Sequence, residues 1–252
     1  MSDLRSRSAT RNAAFCLHVG AAAVGAMAVA FDLGAHDLVT PAVPPQEIAL
    51  RLSRLLARKR EGDRMRASVQ DGLRLAVIDP LTGLHNRRYG VAQLAAICEA
   101  ARQRQTGFAV MVVDLDRFKS VNDRWGHAAG DDVLVEVANR LSRNLRSGDL
   151  LARIGGEEFL IALPDTGLAE AQGVAERLCR AVADTPVALR VGVDLPVTVS
   201  IGLALCAGDG AAAVDMVSQI VHRADRALLD SKAAGRNQVT LARFEPAGMR
   251  AH

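Results

Sequence analysis

Hydrophobic periodicity divides the chain after about residue 79 into alternating helices and strands. Apolar residues recur at helical spacing over four segments, which predict helices at 91–105, about 131–146, 168–184 and 214–234. Short apolar runs predict strands at 108–113, 150–154, 158–163 and 197–205, with a closing strand near Val239. We expect Gly155 and Gly156 to form a two-residue hairpin turn. Helices that alternate with a mostly antiparallel sheet indicate an α+β fold with a ferredoxin-like sheet flanked by helices.

The N-terminal part of the chain has a different pattern. Residues 13–31 are mostly Ala, Gly and Val and are nearly long enough to span a bilayer, but His18 interrupts them and basic residues flank them on both sides. We therefore expect a buried helix rather than a transmembrane one, ended by the breaker cluster T-P-A-V-P-P. Helical spacing then predicts a connecting helix at 46–78. It can pair two chains as a short coiled coil, although Lys59 and Gly62 break the heptad.

Composition narrows the class of protein. The 252 residues, half of them apolar, suffice for one large core. A net charge of +3 and 3% aromatic residues argue against a nucleic-acid-binding protein. The four cysteines form no C-x-x-C pair, as is typical of a reduced, cytoplasmic chain. The basic run at 57–66 is either a solvated helix face, which we favour, or a contact with an anionic membrane surface.

Two acidic clusters lie at predicted strand ends. Asp114 and Asp116 follow the most apolar strand, and Glu157 and Glu158 follow the hairpin turn. If these strands are neighbours, Asp114 and one glutamate face the same point. A divalent cation such as Mg2+ would relieve their repulsion there. The alternative is that these residues are solvated loop acids.

Three cations have the composition of a triphosphate site. Lys119 follows the first acidic cluster, and Lys232 and Arg236 lie at the end of the last predicted helix. The sequence has no G-x-x-x-x-G-K-[ST] loop, and no G-x-G-x-x-G follows a strand, which argues against a P-loop or Rossmann site. Metal–carboxylate chemistry on a palm-like sheet remains as the way to handle a nucleoside triphosphate.

Five co-spaced motifs carry a family resemblance. They are D-P-L-T-G-L-H-N-R-R (79–88), D-L-D-R-F-K-S-V-N-D-R-W-G-H-A-A-G-D (114–131), R-I-G-G-E-E-F (153–159), V-T-V-S-I-G (197–202) and A-D-R-A-L-L-D-S-K-A-A-G-R-N (224–237). In their order and spacing, residues 76–243 resemble a GGDEF domain of the diguanylate cyclases. The resemblance implies a nucleotidyl-cyclase palm-type sheet and the condensation of two GTP molecules into cyclic di-GMP and pyrophosphate.

The same resemblance implies a homodimer, because each domain offers one GTP. A degenerate domain that only senses GTP or cyclic di-GMP is the alternative. The intact metal carboxylates and G-G-E-E-F favour the enzyme. Asp114, Glu157 and the Leu115 carbonyl match positions that would hold Mg2+ or Mn2+, and Glu158 matches a residue that assists a second metal or the reacting hydroxyl.

Substrate positions follow from the same motifs. An amide and a carboxylate suit the donor edge and the O6 acceptor of guanine. Glycines let the backbone approach a nucleotide closely, where a Cβ would intrude. The matching residues are Asn122 and Asp131 for guanine, Lys119, Lys232 and Arg236 for phosphate, and Gly155 and Gly156 for close approach.

A second site is implied by Arg146 and Asp149, an R-x-x-D just ahead of the hairpin. Many family members bind cyclic di-GMP at this position and are inhibited by it, and Arg177 matches a supporting arginine of that site. Taken alone, an R-x-x-D is usually an exposed ion pair. One departure concerns A-L-L-D-S-K, where Leu229 replaces the usual Tyr and Ser231 is also atypical, and we expect altered packing behind the lysine.

The N-terminal part has its own resemblance. Residues 31–51 resemble the tail of a receiver domain, as in cyclases of the PleD type, but Thr40 stands where a Lys usually precedes proline. The preceding residues are too few for an acidic pocket and a phosphoacceptor strand, so we expect no switching by phosphorylation of this chain. The expected organisation is a truncated receiver-like or unassigned segment at 1–45, a connecting or dimerisation helix at 46–78, the cyclase domain at 79–243 and a tail at 244–252.

Overall fold

The computed structural model describes residues 7, 10, 12–20, 27–206 and 213–243. The chain divides into two compact units, Met1–Leu73 and Arg74–His252. The boundary falls inside one long helix, so the expected connecting helix belongs in part to each unit. The expected tail at 244–252 lies outside the described residues.

The N-terminal unit contains two short parallel strands, β1 (Cys16–His18) and β2 (Asp37–Val39), with helix α1 (Met27–Asp32) between them. The buried helix expected at 13–31 is therefore wrong for its first part. Val19 N–H donates to Val39 O at 2.8 Å, a partner that local periodicity does not reveal. Residues 21–26 lie outside the described part.

Helix α2 (Pro45–Val77) is continuous over 33 residues, about 50 Å. It runs through Lys59 and Gly62, where the heptad pattern is broken. Arg51 ties its first turns to β2, since the guanidinium donates to Glu47 Oε1 at 2.7 Å and to Leu38 O at 3.4 Å. Among the described helices, none combines the length and hydropathy that a membrane crossing requires.

After α2, the described residues of the second unit form eight strands and five helices. The strands are β3 (His85–Asn86), β4 (Phe108–Leu115), β5 (Leu150–Arg153), β6 (Glu158–Pro164), β7 (Val187–Ala188), β8 (Asp194–Leu195), β9 (Val199–Cys206) and β10 (Val239–Leu241). The helices are α3 (Arg87–Arg104), α4 (Phe118–Trp125), α5 (His127–Arg143), α6 (Leu168–Ala183) and α7 (Ala213–Ala233).

Six of these strands form one sheet in the order β10-β9-β4-β6-β5-β3. The central four, β9-β4-β6-β5, are antiparallel throughout, and the outer strands β10 and β3 each pair in parallel with their neighbours. With α5 following the first central strand and α6 following the third, this is the ferredoxin-like arrangement. The predicted α+β fold is confirmed.

Strand β4 separates the two halves of the core, because its successive side chains point to opposite faces of the sheet. Met111 and Val113 pack with helices α5 and α6, whereas Val110 and Val112 pack with α3 and α7. All eight residues of the strand are buried, including the last two, Asp114 and Leu115. The central strands of the sheet are thus covered on both faces.

The structure differs from the local predictions in several places, among them the start of α3, which is Arg87 rather than residue 91. Helix α4 lies in a segment for which no element was predicted, and α5 begins at His127 rather than near 131. The hairpin connection comprises four residues instead of two, and neither of its glycines has a positive φ. In this wider turn, the amides of Ile154 and Gly155 both donate to Glu158 O, and Arg153 donates to Gly156 O at 2.6 Å.

Candidate active site

The carboxyl end of β4 brings the two acidic clusters together. In the register of the sheet, Asp114 lies opposite Glu158 on β6 and opposite Ser200 on β9. One residue further, Leu115 N–H donates to Glu157 O at 3.2 Å. The predicted neighbourhood of Asp114 and the glutamates is therefore present, and it arises from strand pairing between segments more than forty residues apart.

The electrostatics of this cluster favour a bound cation. Asp114 is 4% exposed, and Lys232 Nζ lies 2.8 Å from its Oδ2. Burial raises the pKa of Asp114 even though Lys232 opposes the shift. Burial and the charge of Asp114 likewise raise the pKa of Glu157. Both carboxylates therefore favour a nearby positive charge, which Lys232 supplies to Asp114 in this structure.

The donor set fits Mg2+ or Mn2+. Within the described residues, no three His, Cys, Asp or Glu side chains converge on one point as a ready-made metal cage. Magnesium does not require such a cage, because it is commonly held by one or two carboxylates and by oxygens of the substrate phosphates. Asp114 and Glu157 supply two carboxylates of this kind next to Lys232.

The two glycines of the hairpin have different surroundings. At Gly155, a Cβ would overlap the Glu158 carboxylate and lie 3.2 Å from Glu158 Cβ, so the absence of a side chain makes room for Glu158. At Gly156, nothing lies within 4 Å of the position of a Cβ. The predicted close approach of a nucleotide therefore has open space at Gly156, whereas Glu158 occupies the space beside Gly155.

Helices α4 and α5 bring Asn122 next to Asp131. They meet at Gly126, whose φ of 81° favours glycine and whose N–H donates to Asn122 O at 2.8 Å. A Cβ on Gly130 would overlap Asn122 Oδ1, so the amide of Asn122 rests on the backbone immediately before Asp131. The two predicted guanine-binding residues are brought together, and Asp131 is exposed.

The predicted phosphate-binding residues lie on two elements. Lys119 is exposed in the first turn of α4. Lys232 lies in the last turn of α7, and Arg236 lies in the turn between α7 and β10, where its φ is 68°. Lys232 joins the acidic cluster directly through Asp114, while Arg236 is exposed and reaches no member of that cluster by a hydrogen bond or ion pair described in this part of the chain.

Sequence reasoning gave no role to Asp116, the second acid of D-L-D. Its carboxylate accepts from Thr198 Oγ1 and Ser200 Oγ, each at 2.7 Å, and from Asn237 N–H at 3.0 Å. In the sequence, the one feature that could have pointed to a role for Asp116 is its position two residues after Asp114. Its partners lie 82 to 121 residues away in sequence.

The two departures in A-L-L-D-S-K have different consequences. Leu229 is 64% exposed, so the expected change of packing behind Lys232 does not come from this residue. Ser231 is fully buried, and its hydroxyl donates to Gln238 O at 2.8 Å. The side chain of Gln238 in turn donates to Ser231 O at 2.9 Å.

The residues of the predicted second site surround one cavity. Asp149 accepts from the backbone N–H and from Nε of Arg146, at 3.0 and 2.9 Å. The Arg146 guanidinium also lies 3.3 Å from Glu170 and donates to Thr166 Oγ1 at 2.7 Å. Arg146, Asp149, Glu170 and Arg177 line a cavity of about 370 Å3. In this structure the guanidinium of Arg146 is therefore held by Asp149, Thr166 and Glu170.

A ferredoxin-like palm with carboxylates at the end of β4 and a G-G-E-E-F hairpin beside them defines a class of nucleotide cyclases. Residues 76–238 match the family model "Diguanylate cyclase, GGDEF domain". The chain belongs to the GGDEF-domain family.

Individual proteins are similar over different shares of the chain. The response regulator PleD of Caulobacter vibrioides is 40% identical over 237 residues, which are 94% of this chain and 51% of PleD. The diguanylate cyclase DgcP of Pseudomonas aeruginosa is 36% identical over 78% of this chain and 29% of its own length. The chain thus spans about half, or less, of these curated relatives.

Among solved structures, the coiled coil and GGDEF domain of DgcB from Caulobacter crescentus in complex with c-di-GMP is similar, with a TM-score of 0.67 and 33% identity. The match covers 75% of this chain and 98% of that one. Since the similarity to PleD covers nearly the whole chain, it reaches beyond the GGDEF domain into the N-terminal unit.

Proposed function

We propose that this chain is a diguanylate cyclase that condenses two GTP molecules into cyclic di-GMP and pyrophosphate. The observation that carries the proposal is the cluster at the end of β4, where strand pairing brings Asp114 next to the G-G-E-E-F glutamates and within 2.8 Å of Lys232. Membership of the GGDEF family and the names of the curated relatives support the same activity.

Asp114 and Glu157 hold Mg2+ or Mn2+ in this proposal, together with the Leu115 carbonyl. The metal, when bound, neutralises charge that develops on the phosphate oxygens. Glu158 assists a second metal or the reacting hydroxyl. The 3′-oxygen of each GTP attacks the α-phosphorus of the other in line, so two phosphodiester bonds close the ring, two pyrophosphates leave and the two hydroxyl protons pass to solvent.

Substrate binding is assigned to residues on both sides of this cluster. Asn122 and Asp131 read the guanine edge, since their amide and carboxylate complement its donors and acceptor. Lys119, Lys232 and Arg236 bind the triphosphate. In this structure the ammonium group of Lys232 forms an ion pair with Asp114. We propose that the Lys232 side chain binds a phosphate oxygen instead of Asp114 when nucleotide and metal are bound.

Two domains must face each other for this reaction, because each holds one GTP. Helix α2 is the proposed dimerisation element. It exposes the apolar side chains of Leu52 and Leu56, one turn apart on the same face, and a second copy of the helix would remove them from water. Catalysis then depends on positioning two half-sites, and a monomer should be nearly inactive.

We further propose that cyclic di-GMP binds at the cavity of Arg146, Asp149 and Arg177 and inhibits the enzyme. A guanidinium fork suits a phosphate or a guanine, and a carboxylate accepts from the base edge. The c-di-GMP in the DgcB structure supports a product site in a similar fold.

The test is turnover of GTP with Mg2+ or Mn2+, measured across protein concentration. We expect cyclic di-GMP as product and a specific activity that rises with protein concentration until the dimer is saturated. Glu157→Ala should abolish turnover, whereas Glu176→Ala, an exposed glutamate on α6, should leave it unchanged. Absence of product from the wild type at every concentration and with either metal would overturn the proposed function.

A further inference from the structure

Asp116 has no role in the proposed chemistry, yet its carboxylate connects three separate segments. Two hydroxyls next to or within β9, those of Thr198 and Ser200, and one backbone N–H, that of Asn237, all donate to it at 2.7–3.0 Å. Asp116 N–H also donates to Thr198 O at 2.9 Å. All three groups that contact the Asp116 carboxylate are hydrogen-bond donors, so a carboxylate, which only accepts, suits this position.

The segment that Asp116 holds is a strained turn. Gly235, Arg236 and Asn237 have φ values of 124°, 68° and 47°, in succession. Residues other than glycine rarely have positive φ values. They keep such a backbone conformation only where surrounding contacts hold it. Here Arg236 N–H donates to Ser231 O at 3.1 Å, and Asn237 N–H donates to Asp116 at 3.0 Å.

These two hydrogen bonds fix the backbone on either side of Arg236, the positively charged residue of the turn. On one side, buried Ser231 joins the end of α7 to Gln238 through a reciprocal pair of hydrogen bonds. On the other side, Asp116 joins the turn to the end of β4, two residues beyond Asp114. Arg236 lies between these two attachments, so the direction of its side chain depends on both.

We propose that Asp116 is a positioning residue, which holds the 235–237 turn so that Arg236 points at the triphosphate of the bound nucleotide. The inference rests on the proposed function, because it assigns phosphate binding to Arg236. Asp116 itself touches neither substrate nor metal in this proposal. Its contribution is made through Asn237, whose amide fixes the turn.

The experiment compares Asp116→Ala and Asp116→Asn with the wild type and with Asp194→Ala, which removes an exposed carboxylate from β8. Hydrogen exchange measured by mass spectrometry reports on the 235–237 turn without any ligand. Calorimetry with a non-hydrolysable GTP analogue and Mg2+ reports on binding. Thermal unfolding shows that each variant is folded.

In Asp116→Ala we expect faster exchange in the peptides that contain Asn237, with a smaller change at the start of β9, and an affinity for the GTP analogue that is about tenfold weaker. Asp116→Asn keeps one oxygen that can accept from Asn237 N–H, so it should recover most of both signals. Should the alanine variant not fold, the asparagine variant should still show changes of about two- to threefold. Asp194→Ala should match the wild type in every measurement.

Unchanged exchange at the turn would overturn the inference that Asp116 holds it. Faster exchange with unchanged nucleotide affinity would leave Asp116 a structural residue and overturn its positioning role. A wild type that binds no GTP analogue would overturn the proposed function and the link to phosphate, and the exchange result would then decide separately whether Asp116 fixes the turn.

Discussion

Replacing Gly130 with alanine would add one methyl group at the point where Asn122 rests on helix α5. The new Cβ would overlap Asn122 Oδ1 and would lie 3.0 Å from its Cγ and 3.2 Å from Phe118 Cζ. The overlapped atom is the end of a rotatable side chain. Asn122 can therefore move away, and the backbone of both helices can remain in place.

The size of the effect follows from this displacement. To restore an ordinary van der Waals contact, the amide oxygen of Asn122 must move by about 1.5 Å, which exceeds 1 Å. A misplacement of about 1 Å can cost on the order of 100-fold in rate, or about 2.7 kcal/mol. In the opposite direction, alanine in a helix interior is more favourable than glycine by about 1 kcal/mol. Nucleotide binding and stability should therefore change separately.

The assay is calorimetry with a non-hydrolysable GTP analogue and Mg2+, together with thermal unfolding. Gly130→Ala should bind the analogue between ten- and 100-fold more weakly, by about 1.4 to 2.7 kcal/mol, and should unfold at or near the wild-type temperature. Gly173→Ala is the matched control, because this helical glycine has nothing within 4 Å of its Cβ position. Wild-type affinity in Gly130→Ala would refute the assignment of Asn122 to guanine.

Three further outcomes test other parts of the structure. Gly202→Ala should destabilise the fold by about 1–3 kcal/mol or more in urea unfolding, because its Cβ would overlap backbone atoms of α7 that cannot rotate away; stability equal to the wild type would refute this packing. Burial raises the pKa of Asp79, but bonds from Thr82 and Arg153 outweigh it and the pKa is lowered. Its contribution to stability is thus present above a pH of about 3.9 and is lost as the pH falls, so Asp79→Asn should flatten the acid limb of the unfolding profile. Arg146→Ala should relieve inhibition by added cyclic di-GMP without lowering the initial rate; a wild type that is not inhibited at high product would refute the second site.

Local sequence pattern was sufficient for the elements that form the core. Strand β4 was predicted at 108–113 because its apolar run is unbroken, and α6 and α7 differ from the predicted ranges by one residue at each affected end. Where polar residues or glycines interrupt the pattern, the prediction failed. The predicted strand ended at residue 113, just before polar Asp114, although pairing with β6 and β9 extends the strand through Asp114 and Leu115.

Five motifs with family spacing, which can be read without any coordinates, predict which residues carry chemistry. The contacts between those residues became visible only in the folded structure. It showed that Glu158 occupies the space beside Gly155, that Asn122 lies against Gly130, and that Asp116 reaches an amide 121 residues away. The physical reason is the distance along the chain over which each kind of information acts. Periodicity reports neighbours within a turn of helix or along one strand, whereas these contacts exist only once the sheet has paired and the helices have packed on it.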